Sequence, residues 1–191
     1  MMLKLEPFTE EDIKPHLSWL EGTDLEFLLQ YSGPAYSFPL DQAQLLGDIE
    51  KMRASEEFLM FKAVEEASGE TLGHIQFLNI HREAGTATIG RVLVRKERRG
   101  HGFGEEMMRL AIEEAFQELG LSTLELWVYS FNRPAIQCYM KLGFRIAARA
   151  IHVFPASGKR WGRLLMKLDR DRYCKIKTQD EMADQSLEPV E

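Results

Sequence analysis

The sequence predicts an α/β chain of the α+β type, with a central mixed, mostly antiparallel twisted sheet and helices on both faces. Three observations predict it. Apolar residues recur near the helical period in residues 41–54 and again in 104–119. Several β-rich runs, joined by glycine-bearing turns, surround those helices. A basic, glycine-rich break separates the strand ending at Val94 from the helix after Gly104, so strand and helix belong to adjoining layers.

The elements follow in order. After an extended start at residues 3–8, Thr9-Glu10-Glu11-Asp12 reads as a capped helix start, and Gly22 ends that helix. Residues 31–39 are rich in turn formers and aromatics and read as a loop. The next helix, 41–54, carries Leu45, Ile49 and Met52 on one side. Residues 58–64 and 72–80 form a hairpin across Gly69, and 86–94 a third strand. Helix 104–119 places Met108, Ile112, Ala115 and Leu119 on one face and stops at Gly120. Strand 124–129, short helix 134–142, and strands 145–153 and 163–168 complete the fold. One domain is expected over residues 1–170, followed by a polar, acidic and flexible tail over 171–191 that frays from Gln179.

Composition excludes several classes. The chain has 191 residues, 45% hydrophobic and 28% charged, the balance of an ordinary soluble domain. Two cysteines, Cys138 and Cys174, are too few for a disulfide scaffold and lack metal-ligand spacing, so no metal is expected. A net charge of −6 opposes general nucleic-acid binding and leans toward cationic small molecules. No apolar run approaches the roughly 20 residues of a membrane span, and the opening residues do not read as a secretory signal. A reducing cytoplasm is the expected home.

The segment from Val92 to Glu106 carries the chemistry: a buried strand, then basic residues, then Gly100, Gly102 and Gly104, then a helix. Glycines allow close backbone approach, and free N–H groups at a helix start point at an anion. The nucleoside-triphosphate loop is excluded because Gly104 is followed by Glu105, not by Lys-Ser/Thr. The dinucleotide fingerprint fits poorly, since the glycines begin well beyond the strand.

Arg99-x-x-Gly102-x-Gly104 instead resembles the coenzyme A signature of the GNAT superfamily of N-acetyltransferases. A second motif agrees with it: Asn132, a short helix, Tyr139, and then Gly143-Phe144, all behind the strand Leu124–Tyr129. The resemblance implies the GNAT fold and acetyl transfer from acetyl-CoA to a primary amine by direct attack. It implies that Leu93, Val94, Arg99, Gly100, His101, Gly102, Phe103, Gly104 and Asn132 hold the coenzyme. A backbone N–H at Leu93 or Val94 would face the thioester oxygen, and Tyr139 would be the acid for the departing thiolate. Asn132 also reads as a helix cap, and Tyr139 also reads as a core residue on the face of Ala135, Ile136 and Leu142. The base is open between Glu125, water and a tyrosine. Glu125 shares a sheet face with Trp127 because residues two apart on a strand point the same way.

The acceptor is expected to meet residues 21–40 and 151–161, where Glu21, Asp24 and Glu26 read either as acids that attract a cation or as a solvated charged face. The long aromatic N-terminal loop resembles the branch of ribosomal-protein N-terminal, polyamine and aminoglycoside acetyltransferases. A small-molecule amine or a peptide N-terminus is thus the expected partner, and relatives make a homodimer a further expectation. Two other readings remain beside this one: a non-catalytic acyl-CoA-binding regulatory domain, and a transferase of longer acyl groups.

Overall fold

The computed structural model describes residues 2–154 and 159–185, and side chains as far as Gln179. Seven strands form one sheet: β1 (Leu3–Pro7), β2 (Leu59–Glu65), β3 (Thr71–His81), β4 (Thr86–Val94), β5 (Thr123–Tyr129), β6 (Arg145–Val153) and β7 (Arg160–Asp169). Their order across the sheet is β1-β2-β3-β4-β5-β7-β6. Every neighbouring pair is antiparallel except β4 and β5, which run parallel. Such a parallel pair needs a crossover, here α4 (Phe103–Glu113) and the π-helical turn Glu114–Glu118.

Helices cover both faces, as expected. On one side, α4 sets Met107, Met108, Ala111 and Ile112 against Ile75, Phe77, Ile89, Leu126 and Met166 of the sheet. On the other, α1 (Ile13–Ser18), α2 (Leu25–Ser32) and α3 (Gln42–Ala54) bury Ile13, Leu28, Leu45 and Ile49 around Phe8, Met60 and Leu93. The opposed faces of each strand follow from the two-residue period, so Leu124, Leu126 and Val128 enter the α4 core while Glu125, Trp127 and Tyr129 face away from it.

Helix α2 corrects the sequence reading, which had no helix between Gly22 and the aromatic loop. Asp24 starts it by accepting a bond from the Phe27 N–H at 2.8 Å, and Leu28 and Tyr31 supply its buried side. The expected first helix opens instead as a 3-10 turn, Glu10–Asp12, in which Asp12 accepts from the Thr9 N–H and hydroxyl at 2.8 Å each. The C-terminal segment differs more. Where a tail was expected from residue 171, α6 runs over Arg170–Gln185. Tyr173 is buried against Phe116, Lys177 reaches Glu113 at 2.7 Å, and Arg172 donates to the Gly143 carbonyl at 2.6 Å. Three side chains suffice to dock this largely polar helix, and a low overall apolar content conceals them. The last part of the expected tail, residues 186–191, lies outside the described residues.

Candidate active site

The site is made by the one parallel pair. Strands β4 and β5 are in register from Thr86↔Thr123 to Ile89↔Leu126 and then part. β4 continues to Val94 along β3 alone, so its backbone groups on the β5 side lose their strand partner beyond Ile89. A bulge lies where the strands part: Gly90 and Leu93 on β4 oppose Gln76 and His74 on β3, and Arg91 has φ of 50°. A cavity of 210 Å³ opens there. Gly90 and Arg91 of β4, Trp127 and Tyr129 of β5 and Arg163 of β7 form one side of it, and Tyr31 with Gly33-Pro34-Ala35 the other.

A buried polar network stands behind that cavity. Arg91 Nη1 donates to Asp48 Oδ2 at 2.6 Å, to Gln76 Oε1 at 2.5 Å and to the Tyr36 hydroxyl at 3.1 Å. The Tyr36 hydroxyl donates to Asp48 at 2.5 Å, and the Arg91 guanidinium lies 4.4 Å from the Tyr36 ring centre. Asp48 is 2% exposed. Farther in, the Tyr31 hydroxyl lies 3.2 Å from His16 Nε2 and 3.4 Å from His74 Nδ1, with both imidazoles buried. Sequence reasoning missed this network. One signal pointed to it: Asp48 falls among Leu45, Ile49 and Met52 on the apolar stripe of α3, where a lone carboxylate requires a buried partner.

Burial pushes the His16 imidazole down to about 4 from an ordinary 6.5, and burial also holds His74 well below its usual range, with His16 and Arg91 adding to the effect. Both are therefore neutral in the fold near pH 7. Above about pH 6.5 neither state binds the proton; below it the unfolded chain does and the folded chain does not, so stability falls as pH drops from 6.5 toward 4. His16 by itself should cost about 3 kcal/mol across that window. Urea unfolding at a series of pH values checks this, and His16→Gln should flatten the slope; an equally steep slope in the variant would assign it to other groups.

The glycine loop lies at the far end of β4. Gly100 and Gly102 have φ of 80° and 85°, and a Cβ on either meets nothing within 4 Å, so open space faces the backbone there. Gly102 is the N-cap of α4 and has no side chain to offer, which leaves the first-turn N–H groups for a ligand. The acids of that turn are answered: Glu105 by Lys141 at 2.7 Å and Glu106 by Arg109 at 3.1 Å. Arg99 folds the loop back by donating from Nε to the Val94 carbonyl at 2.8 Å, and His101 Nδ1 lies 2.9 Å from the Arg99 carbonyl. Arg98 is engaged by Glu70, which also holds Arg95, so its charge is partly spent within the protein. This cradle of free N–H groups with an open face fits a pyrophosphate.

The other sequence candidates are distributed unevenly. Leu93 is buried among the residues under α1–α3, and Val94 pairs with Gly73. The Phe103 ring is buried in the α4 core, so only its backbone can face a ligand. Asn132 caps α5 (Arg133–Lys141), accepting from the Ala135 N–H at 3.4 Å, which leaves its amide nitrogen for other partners. Tyr139 packs against the α4 core with its ring 6.0 Å from Phe144. Glu125 lies on the other face of the sheet, bridged to Lys167 at 2.5 Å, and is not among the residues lining the cavity. The structure thus does not bring Tyr139 and Glu125 together. Of the acids expected to draw a cation, Asp24 caps α2, Glu26 pairs with Lys159, and Glu21 lines a separate depression beside Phe38. Part of the expected acceptor segment, residues 155–158, lies outside the described residues.

Residues 21–144 match the acetyltransferase (GNAT) family. The chain belongs to that family. It is an acetyl-CoA-dependent acyltransferase that carries acetyl to an amine. Among curated relatives, an SPbeta prophage-derived uncharacterized N-acetyltransferase of Bacillus subtilis, YokL, is 28% identical over 137 residues, covering 71% of this chain and 75% of the relative. A spermidine N(1)-acetyltransferase of Escherichia coli is 28% identical over 110 residues, covering 58% of this chain and 59% of the relative. Among solved structures, spermidine N-acetyltransferase of Vibrio cholerae in complex with CoA and spermine superposes with a TM-score of 0.77 at 17% identity, over 90% of this chain and 98% of that one. A dodecameric form of the Vibrio cholerae enzyme matches with a TM-score of 0.73 at 18% identity, over 90% and 95%. At those identities the structural match concerns the fold. Among the described residues no cluster of potential metal ligands occurs, and no helix is long and apolar enough to cross a membrane.

Proposed function

We propose that acetyl-CoA lies along the unpaired edge of β4 with its pyrophosphate on the Gly100–Gly104 loop, and that a small primary amine enters the neighbouring cavity to attack the thioester. The observation that carries this is the parting of β4 and β5 beyond Ile89 and Leu126, with the cavity at the split and the open helix N-terminus farther along the same strand. A backbone N–H of Leu93 or Val94 stabilises the negative charge that develops on the thioester oxygen. Asn132 holds the coenzyme's arm with its free amide, and Arg99 and His101 border the phosphates.

Tyr139 protonates the departing thiolate. Burial raises its hydroxyl above the ordinary tyrosine range, which keeps the proton on the oxygen throughout the working pH range. Tyr139→Phe should lower kcat about tenfold or more with little change in acetyl-CoA affinity. Steady-state kinetics beside calorimetry checks this, and wild-type turnover at every pH would remove Tyr139 from the chemistry. Glu125 is held by Lys167, so water in the cavity is the better acceptor of the amine proton.

The polyamine reading draws on the named activity of the Escherichia coli and Vibrio cholerae relatives. Assembly into homo-oligomers draws on the dodecameric relative. The deciding experiment is calorimetry with acetyl-CoA and desacetylated CoA, followed by a thiol-release assay over a panel of amines. Acetyl-CoA binding with amine-dependent thiol release supports the proposal; no binding would favour a regulatory domain of another kind.

A further inference from the structure

The residues lining the acceptor cavity include two cations, Arg91 and Arg163, and no carboxylate. Arg91 is neutralised by Asp48. Arg163 is not: among the described residues it has no carboxylate partner, and its Nε is buried without a hydrogen bond. That atom is closed to a ligand, and the terminal N–H groups of the guanidinium, which no described residue bonds, are the donors left for one. Its guanidinium carbon lies 4.1 Å from the centre of the Trp127 ring, and Trp127 is 41% exposed. With its carbon over that ring, the guanidinium has those terminal N–H groups to offer a ligand in the cavity. The acid nearest along β5, Glu125, is taken by Lys167.

This arrangement is the reverse of what a polycation needs. A diamine or polyamine would bring a second positive charge to a wall that already carries an unneutralised one, with no lining carboxylate to receive it. A planar, singly charged carboxylate matches the guanidinium edge, whereas a phosphate dianion would call for more than one available cation. Resting on the acetyl-transfer reading above, the geometry points to an acceptor that is a primary amine on a compact, partly apolar body bearing a carboxylate, docked on Arg163 over Trp127. Arg163 is the specificity residue and takes no part in the proton transfers.

Three acceptors of matched length test this: ε-aminocaproate, hexylamine and hexamethylenediamine, each assayed by thiol release from acetyl-CoA. The kcat/KM for ε-aminocaproate should exceed that for hexylamine by about tenfold, through KM, with the diamine no better than hexylamine. Arg163→Gln should bring the ratio of ε-aminocaproate to hexylamine close to one. Should that variant fail to fold, Arg163→Lys, which keeps the charge but loses the planar edge, should lower the ratio several-fold. A diamine preferred over the aminocarboxylate, or a ratio unchanged in whichever variant folds, overturns the inference. Acetyl-CoA binding without acetylation of ε-aminocaproate overturns the inference and leaves acetyl transfer standing. Absence of acetyl-CoA binding overturns the acetyl-transfer reading as well.

Discussion

Gly102→Asp should weaken acetyl-CoA binding roughly a hundredfold, about 3 kcal/mol at a tenfold change per 1.4 kcal/mol. The two causes can be separated. At φ of 85° the backbone of Gly102 is left-handed, which costs a residue with a Cβ about 1 kcal/mol. A Cβ there meets no atom within 4 Å, so crowding within the protein adds nothing. The rest comes from charge: a carboxylate at the N-cap of α4 would occupy the N–H groups meant for the pyrophosphate and would repel it. Gly102→Ala carries only the conformational part and should lose about tenfold at most. Calorimetry on both variants, with melting curves to show that the fold is intact, gives the comparison. Equal losses in the two would mean that the loop acts through shape alone and that its N–H groups do not hold the phosphates.

Asp48→Ala should destabilise the protein by roughly 3–5 kcal/mol, because it leaves a mostly buried guanidinium with no counter-charge. Arg91 has a side chain only 12% exposed, and the same substitution removes the acceptor of the Tyr36 hydroxyl. For a chain of this length that corresponds to a fall in Tm of about 10 °C. The damage should reach function, since Arg91 sits on the bulge of β4 and lines the cavity. Replacing both partners, Asp48→Ala with Arg91→Met, should recover much of the stability by removing the orphaned charge. Thermal melts of the single and double variants check this, and a double variant no more stable than the single would show that the pair is not coupled.

The two effects are not equally visible in the sequence. The glycine loop was legible because its chemistry is local: three glycines, a strand before and a helix after, all within a few residues. The helix cap at Asn132 and the paired strands β2 and β3 were legible for the same reason. Helix α2 escapes the sequence because its apolar residues sit between turn formers, and its Asp24 cap reads there only as one of three acids that attract a cation or form a solvated face. Helix α6 reads as a tail in the sequence because a few contacts, of Tyr173, Lys177 and Arg172, dock a polar helix, and average composition hides so few anchors.

The sequence by itself therefore determined the fold class, the family and the place of the glycine loop between β4 and α4. Those depend on residues adjacent in the chain and on alternation along single elements. Only the tertiary structure decided what lines the cavity. Asp48 on α3, Arg91 on β4 and Tyr36 before α3 meet through contacts of 12 to 55 positions' separation. Arg163 joins Trp127 because β7 runs antiparallel beside β5, a pairing that no local pattern specifies. Charge shows the difference most plainly: the net −6 of the chain suggested a cationic acceptor, yet the residues around the cavity leave one positive charge unanswered. Electrostatic interaction falls with distance and is screened by water, so an acceptor responds to the few groups that line the cavity and hardly to the sum over the surface.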